Sequence, residues 1–276
     1  MGSFFMSSNK TSKFHFIKSK YILQQVFAIV YKKKKLQIIK YNKEIQKRID
    51  ININDYKNYC EIIIEITPMK NINFYLKNRF INIPKGDEPF YHIYFDDNNK
   101  EIKDYYIKDN IKKIKVIIDN KITSFFRLFE YCKCIESISF IKFRNNNITN
   151  MRSMFYECTS LKNLDLSNFC TDNVNNMCCM FYNCKSLEKL DLSNFDTQYV
   201  TTMKGMFYGC KLLKKLNLSH FNSVNLLDTS YMFYECCSLK ILKFFKIYRR
   251  IIDTMGMFDK CRISKNILEN YYYEKL

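Results

Sequence analysis

Residues 187–210 read Leu187-Glu-Lys-Leu190-Asp-Leu192-Ser-Asn-Phe195-Asp-Thr-Gln-Tyr-Val200-Thr-Thr-Met203-Lys-Gly-Met206-Phe207-Tyr-Gly-Cys210. The pattern recurs on both sides of this stretch. Met154-Phe155-Tyr156-Glu157-Cys158, Met180-Phe181-Tyr182-Asn183-Cys184 and Met232-Phe233-Tyr234-Glu235-Cys236 match Met206 to Cys210 in steps of 26 residues. Met257-Phe258-Asp259-Lys260-Cys261 follows after 25, and a degenerate copy, Leu128-Phe129-Glu130-Tyr131-Cys132, lies 26 residues before the first full one. Leu161-x-x-Leu164-x-Leu166 and Leu213-x-x-Leu216-x-Leu218 keep the register of Leu187 to Leu192, with Ile135 to Phe140 before them and Leu239 to Phe244 after. A period of this length signals stacked units.

The spacing sets the expected geometry. Leu-x-x-Leu-x-Leu ends in a two-residue alternation, which predicts a short strand with one face inward. The rest of each unit, with Val174, Met177, Phe181 and Cys184 as its apolar positions, returns the chain to the next strand. Six such coils are expected over 121–263, stacked in parallel about 4.8 Å apart. One coil buries too little to stand alone, so the copies come in series.

These repeats resemble the BspA-like leucine-rich repeats, in the 26-residue variant known as a surface-protein repeat. The resemblance implies an α+β leucine-rich-repeat solenoid with short parallel strands, used for adhesion or protein binding and without catalysis. Common leucine-rich repeats place Asn just after the strand. Here Phe195 and its equivalents hold that slot and Asn194 lies one earlier, so an inward Phe stack is expected to replace the Asn ladder.

The flanks read differently. Residues 1–13 are expected to be a disordered start. Over 14–59, Ile22, Leu23, Val26, Phe27 and Val30 share one helical face, and Leu36, Ile39, Ile45 and Ile49 a second. This region faintly resembles an F-box, without its Leu-Pro opening or its Trp. That resemblance implies docking on a cullin-ligase adaptor through Leu23 and Phe27; a capping or dimerising helical hairpin is the alternative. Residues 60–120 turn to β patterning and are expected to cap the first coil. Cys60 to Ile66 is a strand ending before Pro68, and Tyr91–Phe95 and Ile102–Ile107 flank a hairpin turn at Asp96 to Asn99. Ile114–Ile118 is the expected edge strand beside the first coil. Residues 264–276 read as a capping helix with Ser264 as N-cap.

The formal net charge of +18 points at first to polyanions. One alanine, no Trp, and an abundance of Lys, Asn, Ile, Tyr and Phe reveal AT-rich coding, which raises Lys without any polyanion. A solvated basic surface is therefore expected, and nucleic-acid binding is the third-ranked reading. No apolar run reaches the roughly 18–20 residues that span a bilayer. Met1 to Lys10 lacks a signal-peptide pattern, and Met6 breaks a myristoylation motif. A reducing, cytoplasmic setting is expected, with the twelve cysteines as free thiols.

Cys132, Cys158, Cys184, Cys210, Cys236 and Cys261 recur once per coil, which fits a buried packing column better than a metal site. Cys170, Cys178, Cys179 and Cys237 lie off that register. His15, His92 and His220 have no triad context, and neither a cofactor motif nor a metal motif is present. No enzyme is expected. Function is assigned instead to outward strand columns that would bind a protein partner: Asn163, Lys189 and Lys215; Asp165, Asp191, Asn217 and Lys243; and Phe245.

Overall fold

The computed structural model describes residues 61–70, 78–96, 98–107, 110–119, 121–143, 147–245, 253–261 and 263. The chain divides into two units, Met1–Tyr59 and Cys60–Leu276, and every described residue belongs to the second. The expectations for 1–13, for helices over 14–59 with Leu23 and Phe27, and for a helix over 264–276 lie outside the described residues.

Seven strands form: β1 (Ile62–Pro68), β2 (Tyr91–Phe95), β3 (Ile114–Ile118), β4 (Ile135–Phe143), β5 (Asn163–Asp165), β6 (Lys215–Asn217) and β7 (Ile241–Lys243). Five make a mixed sheet in the order β2-β3-β1-β4-β5, and β6 pairs with β7 in a separate parallel sheet. In β1, Ile62, Ile64 and Ile66 are fully buried, as the alternation of apolar residues requires. Strand β4 is antiparallel to β1 and parallel to β5, through Ser137↔Asn163, Ile138↔Leu164 and Ser139↔Asp165. As the strand of the first coil it joins the N-terminal sheet to the repeats, and β1 covers its outer edge.

That role was expected of Ile114–Ile118, which instead lies between β1 and β2. The expected hairpin partner of Tyr91–Phe95 contributes one bridge, Ile93↔Ile102. Asp96 ties the end of β2 to the start of β3, its carboxylate accepting the backbone N–H groups of Lys112 and Lys113 at 2.8 Å. A β ladder satisfies more backbone groups than a tight turn alone, and β3 offers it.

The 26-residue units stack as tiers. Parallel bridges run through Ser124, Asn150, Asn176, Thr202, Asp228 and Asp253, one per tier. These are short polar residues, and their side chains accept the N–H two residues on, as Asn150 does from Arg152, Asn176 from Cys178 and Asp228 from Ser230. Beyond each bridge, alternate N–H groups cross to the next tier. Ser153, Phe155 and Glu157 donate to the carbonyls of Cys178, Met180 and Tyr182. Those between them, Met154, Tyr156 and Cys158, close turns onto the residue three back.

This pattern corrects the α+β leucine-rich-repeat solenoid. Among the described residues the sole helical segment is a 3-10 turn, Glu88–Phe90, and no helix alternates with the strands. The described chain is mostly β. The cause is local: two residues in each tier have left-handed φ, such as Ser153 at 55° and Glu157 at 57°, or Gly205 at 56° and Gly209 at 66°. A right-handed helix cannot continue through them.

Side chains repeat the backbone register. The rings of Phe129, Phe155, Phe181, Phe207, Phe233 and Phe258 stack with centroids 5.3–5.6 Å apart and planes within 9°. Phe195 stacks on Phe169 at 5.6 Å, as an inward Phe stack requires. It does not replace an Asn ladder, however. Asn168 and Asn194 donate to Phe140 and Leu166 carbonyls of the preceding tier, and His220 Nε2 lies 2.9 Å from the Leu192 oxygen. Between tiers, buried Thr171 and Thr197 each accept and donate one hydrogen bond, to the backbones of Asp196 and Asn222.

Candidate functional site

The strand face carries the columns read from the sequence. Asn163 and Asp165 in β5, Lys215 and Asn217 in β6, and Lys243 in β7 are exposed. Lys189 and Asp191 are exposed too, but no strand forms in their tier. A shallow depression of about 310 Å³ brings together Lys215, Asn217 and Lys243 with Leu190, Leu216 and Ile241. Phe245 does not belong to this face. It is fully buried, its ring 4.1 Å from Phe244 and 6.2 Å from Phe221. The outward alternation ends with β7 at Lys243, and Phe245 then turns into the Phe169–Phe195–Phe221 stack.

The turn segments of each tier carry a second exposed strip. Tyr156, Tyr182, Tyr208 and Tyr234 are half-buried and stack at 4.6, 4.3 and 4.6 Å with planes within 15°. Tyr131, 56% exposed, packs edge-on against Tyr156, and Tyr231 packs edge-on against Tyr234. Cations sit over the outer rings: Lys133 over Tyr131, Lys260 over Tyr234 and Lys204 over Tyr231, at 5.8, 5.1 and 6.0 Å. Each such contact is weakly attractive at an exposed site. Burial pushes the Tyr182 phenol up, reinforced by its hydrogen bond with Tyr208. The signal was present as the Tyr of Met-Phe-Tyr-x-Cys; only stacking shows that it lines a surface.

Cys158, Cys184, Cys210 and Cys236 follow these tyrosines by two positions and are buried. The Cys158, Cys184, Cys210 and Cys236 thiols donate to carbonyls of Phe129, Phe155, Phe181 and Phe207 at 3.0–3.2 Å. Burial pushes all four thiols well above the usual range, so they are not nucleophiles at neutral pH. Among the described residues no cluster of three or more His, Cys, Asp or Glu could hold a metal ion, and no helix is long and apolar enough to cross a membrane.

The family model described as "Mycoplasma protein of unknown function, DUF285" matches residues 123–243 and, in a second overlapping match, 149–271. No curated protein and no solved structure matches the chain. The BspA-like leucine-rich-repeat resemblance is corrected by this match and by the missing helix–strand alternation. With it goes the reading of a leucine-rich-repeat scaffold that binds through a solenoid face, and the cullin-ligase and nucleic-acid alternatives likewise find no support. The two matches together span more than half of the 276 residues, so the chain belongs to the DUF285 family of Mycoplasma proteins of unknown function.

Proposed function

We propose that the chain is a non-enzymatic module that meets a protein partner on its turn side, along Tyr131, Tyr156, Tyr182, Tyr208 and Tyr234. The observation that supports this reading is the half-exposed tyrosine stack with lysines over its outer rings. Tyr is enriched at the energetic centres of protein interfaces, because a large ring with a polar tip buries much area for little lost entropy. Stacking already fixes these rings, so less freedom is lost on docking. Exposed Met255 extends the apolar surface beside Tyr231, whose N–H donates to the Met255 carbonyl. No disulfide joins the cysteines among the described residues, and a reducing, cytoplasmic location is part of the proposal.

Site-specific photocrosslinking tests it. A benzophenone amino acid in place of Tyr131 is expected to trap a defined partner band that excess unlabelled protein competes away. Tyr182→Ala or Tyr208→Ala should weaken that band at least about 5-fold, the effect of losing roughly 1 kcal/mol at an interface. A band trapped from Asn217 on the strand face but not from Tyr131 would overturn the reading.

A further inference from the structure

Cys178 and Cys179 are neighbours in sequence and in space. Their sulfurs are 3.6 Å apart, and both residues are partly exposed. The peptide joining them is pinned on both sides: the Cys178 carbonyl accepts from Ser153 N–H of the tier before, and Cys179 N–H donates to the Lys204 carbonyl of the tier after. Cys179 has a left-handed φ of 56°, and its sulfur lies over Gly205, where a Cβ would be 3.4 Å away. The tier register sets Arg152 and Lys204 at the positions equivalent to Cys178 on either side. Asp228 and the phenols of Tyr156 and Tyr182 complete the charged and titratable surroundings of the pair.

We propose that Cys178 and Cys179 form a vicinal dithiol oxidised by hydroperoxides, with Cys178 as the attacking thiolate and Cys179 as the resolving thiol. The Cys178 sulfur attacks the peroxide, an S–O bond forms, the O–O bond breaks, and the alkoxide or hydroxide leaves and takes a proton from solvent. Cys178 is then a sulfenic acid. The Cys179 sulfur attacks it, an S–S bond forms, and the S–OH oxygen leaves as water with the Cys179 proton. Two thiols are oxidised to one disulfide, and one hydroperoxide is reduced to an alcohol or water.

The surroundings favour this order. The sulfur–sulfur contact with Cys179 lowers the Cys178 thiol to about 7 against the effect of burial, with Arg152 and Lys204 adding to the shift and Asp228 opposing it. The same contact raises Cys179, and burial raises it further. Cys236 and Cys237 supply an internal control. They are also adjacent, but their thiols donate to different carbonyls, of Phe207 and Glu235.

The test treats the full chain with hydrogen peroxide at pH 7, blocks remaining thiols and maps them by mass spectrometry. A thiol near 7 holds roughly 15 times more thiolate than an ordinary one, and its lower nucleophilicity reduces that to a rate gain of about 3-fold. Cys178 should therefore oxidise about 3-fold faster than exposed Cys237 and end as a Cys178–Cys179 disulfide, while Cys236–Cys237 forms none. Arg152→Gln with Lys204→Gln should slow Cys178 toward the Cys237 rate. Cys179→Gly keeps the left-handed backbone, as Gly205 and Gly256 do in their tiers, and should leave a sulfenic acid that dimedone traps. Oxidation of Cys178 no faster than Cys237, a disulfide formed equally at Cys236–Cys237, or no dimedone adduct in the folded Cys179→Gly chain would each overturn the proposal.

Discussion

The Cys184 thiol donates to the Phe155 carbonyl at 3.2 Å, across the boundary between two tiers. The contact is closed to solvent, and burial holds the thiol well above its usual range. Cys184→Ala removes a buried sulfur and one inter-tier hydrogen bond, and should cost about 1–2 kcal/mol. In the native chain, Cys184 should resist iodoacetamide while exposed Cys237 reacts. Equal labelling of the two under native conditions would contradict the buried column.

A hydroxyl does similar work at Thr197. It accepts the Asn222 N–H at 2.7 Å and donates to the Asn222 carbonyl at 3.2 Å, while almost wholly buried. Valine has the same shape and no hydroxyl, so Thr197→Val strands a backbone N–H. The expected loss is about 1–3 kcal/mol, whereas Thr197→Ser should stay within about 1 kcal/mol. Urea midpoints at unchanged slope measure both.

How far the sequence discloses the fold follows from which positions repeat. Phe181, Phe207 and Cys184, Cys210 are legible because stacking sets identical residues on one another. The turn backbone is less so. Gly205, Gly209 and Gly256 signal left-handed positions, but Ser153, Glu157, Cys179, Asn183 and Tyr231 occupy the same positions in other tiers without any glycine to mark them. Leu-x-x-Leu-x-Leu is shared by repeats with and without helices, so it could not decide between the α+β class and the mostly β stack observed. Phe245 departs from the outward column because β7, and with it the strand alternation, ends at Lys243. Arg152, Cys178 and Lys204 are far apart in sequence and become a group only when read across tiers.

Gly209 tests the left-handed backbone directly. Its φ is 66°, and a Cβ there would overlap the Asn183 amide oxygen. Gly205, at 56°, would meet nothing nearer than the Cys179 sulfur, at 3.4 Å, an ordinary contact. Gly205→Ala should therefore cost the conformational term alone, about 1–2 kcal/mol. Gly209→Ala should cost more, and adding Asn183→Gly should recover the excess. Equal losses for the two alanines would show that the Asn183 contact yields freely.

Two carboxylates on the strand side set an acid limit. The Ser193 N–H beside Asp191 holds its carboxyl below the usual range, and the Lys214 ammonium does the same for Glu188. Both folded values lie below the unfolded ones. The stabilisation is therefore fully present above the ordinary carboxylate range, near pH 4, and is lost as pH falls through the folded values. Urea midpoints should drop between pH 6 and pH 3, and Asp191→Asn should drop less. An identical pH dependence in wild type and Asp191→Asn would remove Asp191 from this account.

The buried Phe stack holds the largest side chains of the tiers and gives the largest expected effect. Phe207 is fully buried between Phe181 and Phe233, at 5.6 and 5.5 Å. Phe207→Ala leaves a ring-sized cavity in a column that cannot collapse without shifting both neighbours, so a loss of about 3–5 kcal/mol is expected. Phe258 has a single ring of the column against it among the described residues, Phe233 at 5.3 Å, and Phe258→Ala should cost less. A double-mutant cycle of Phe181 and Phe207 should return a coupling of about 0.5–1.5 kcal/mol, the part due to ring–ring contact beyond burial. A cycle of Phe181 and Phe233, separated by one tier, should return a smaller coupling. Equal couplings would mean that the column responds as one body and not as a series of neighbour contacts.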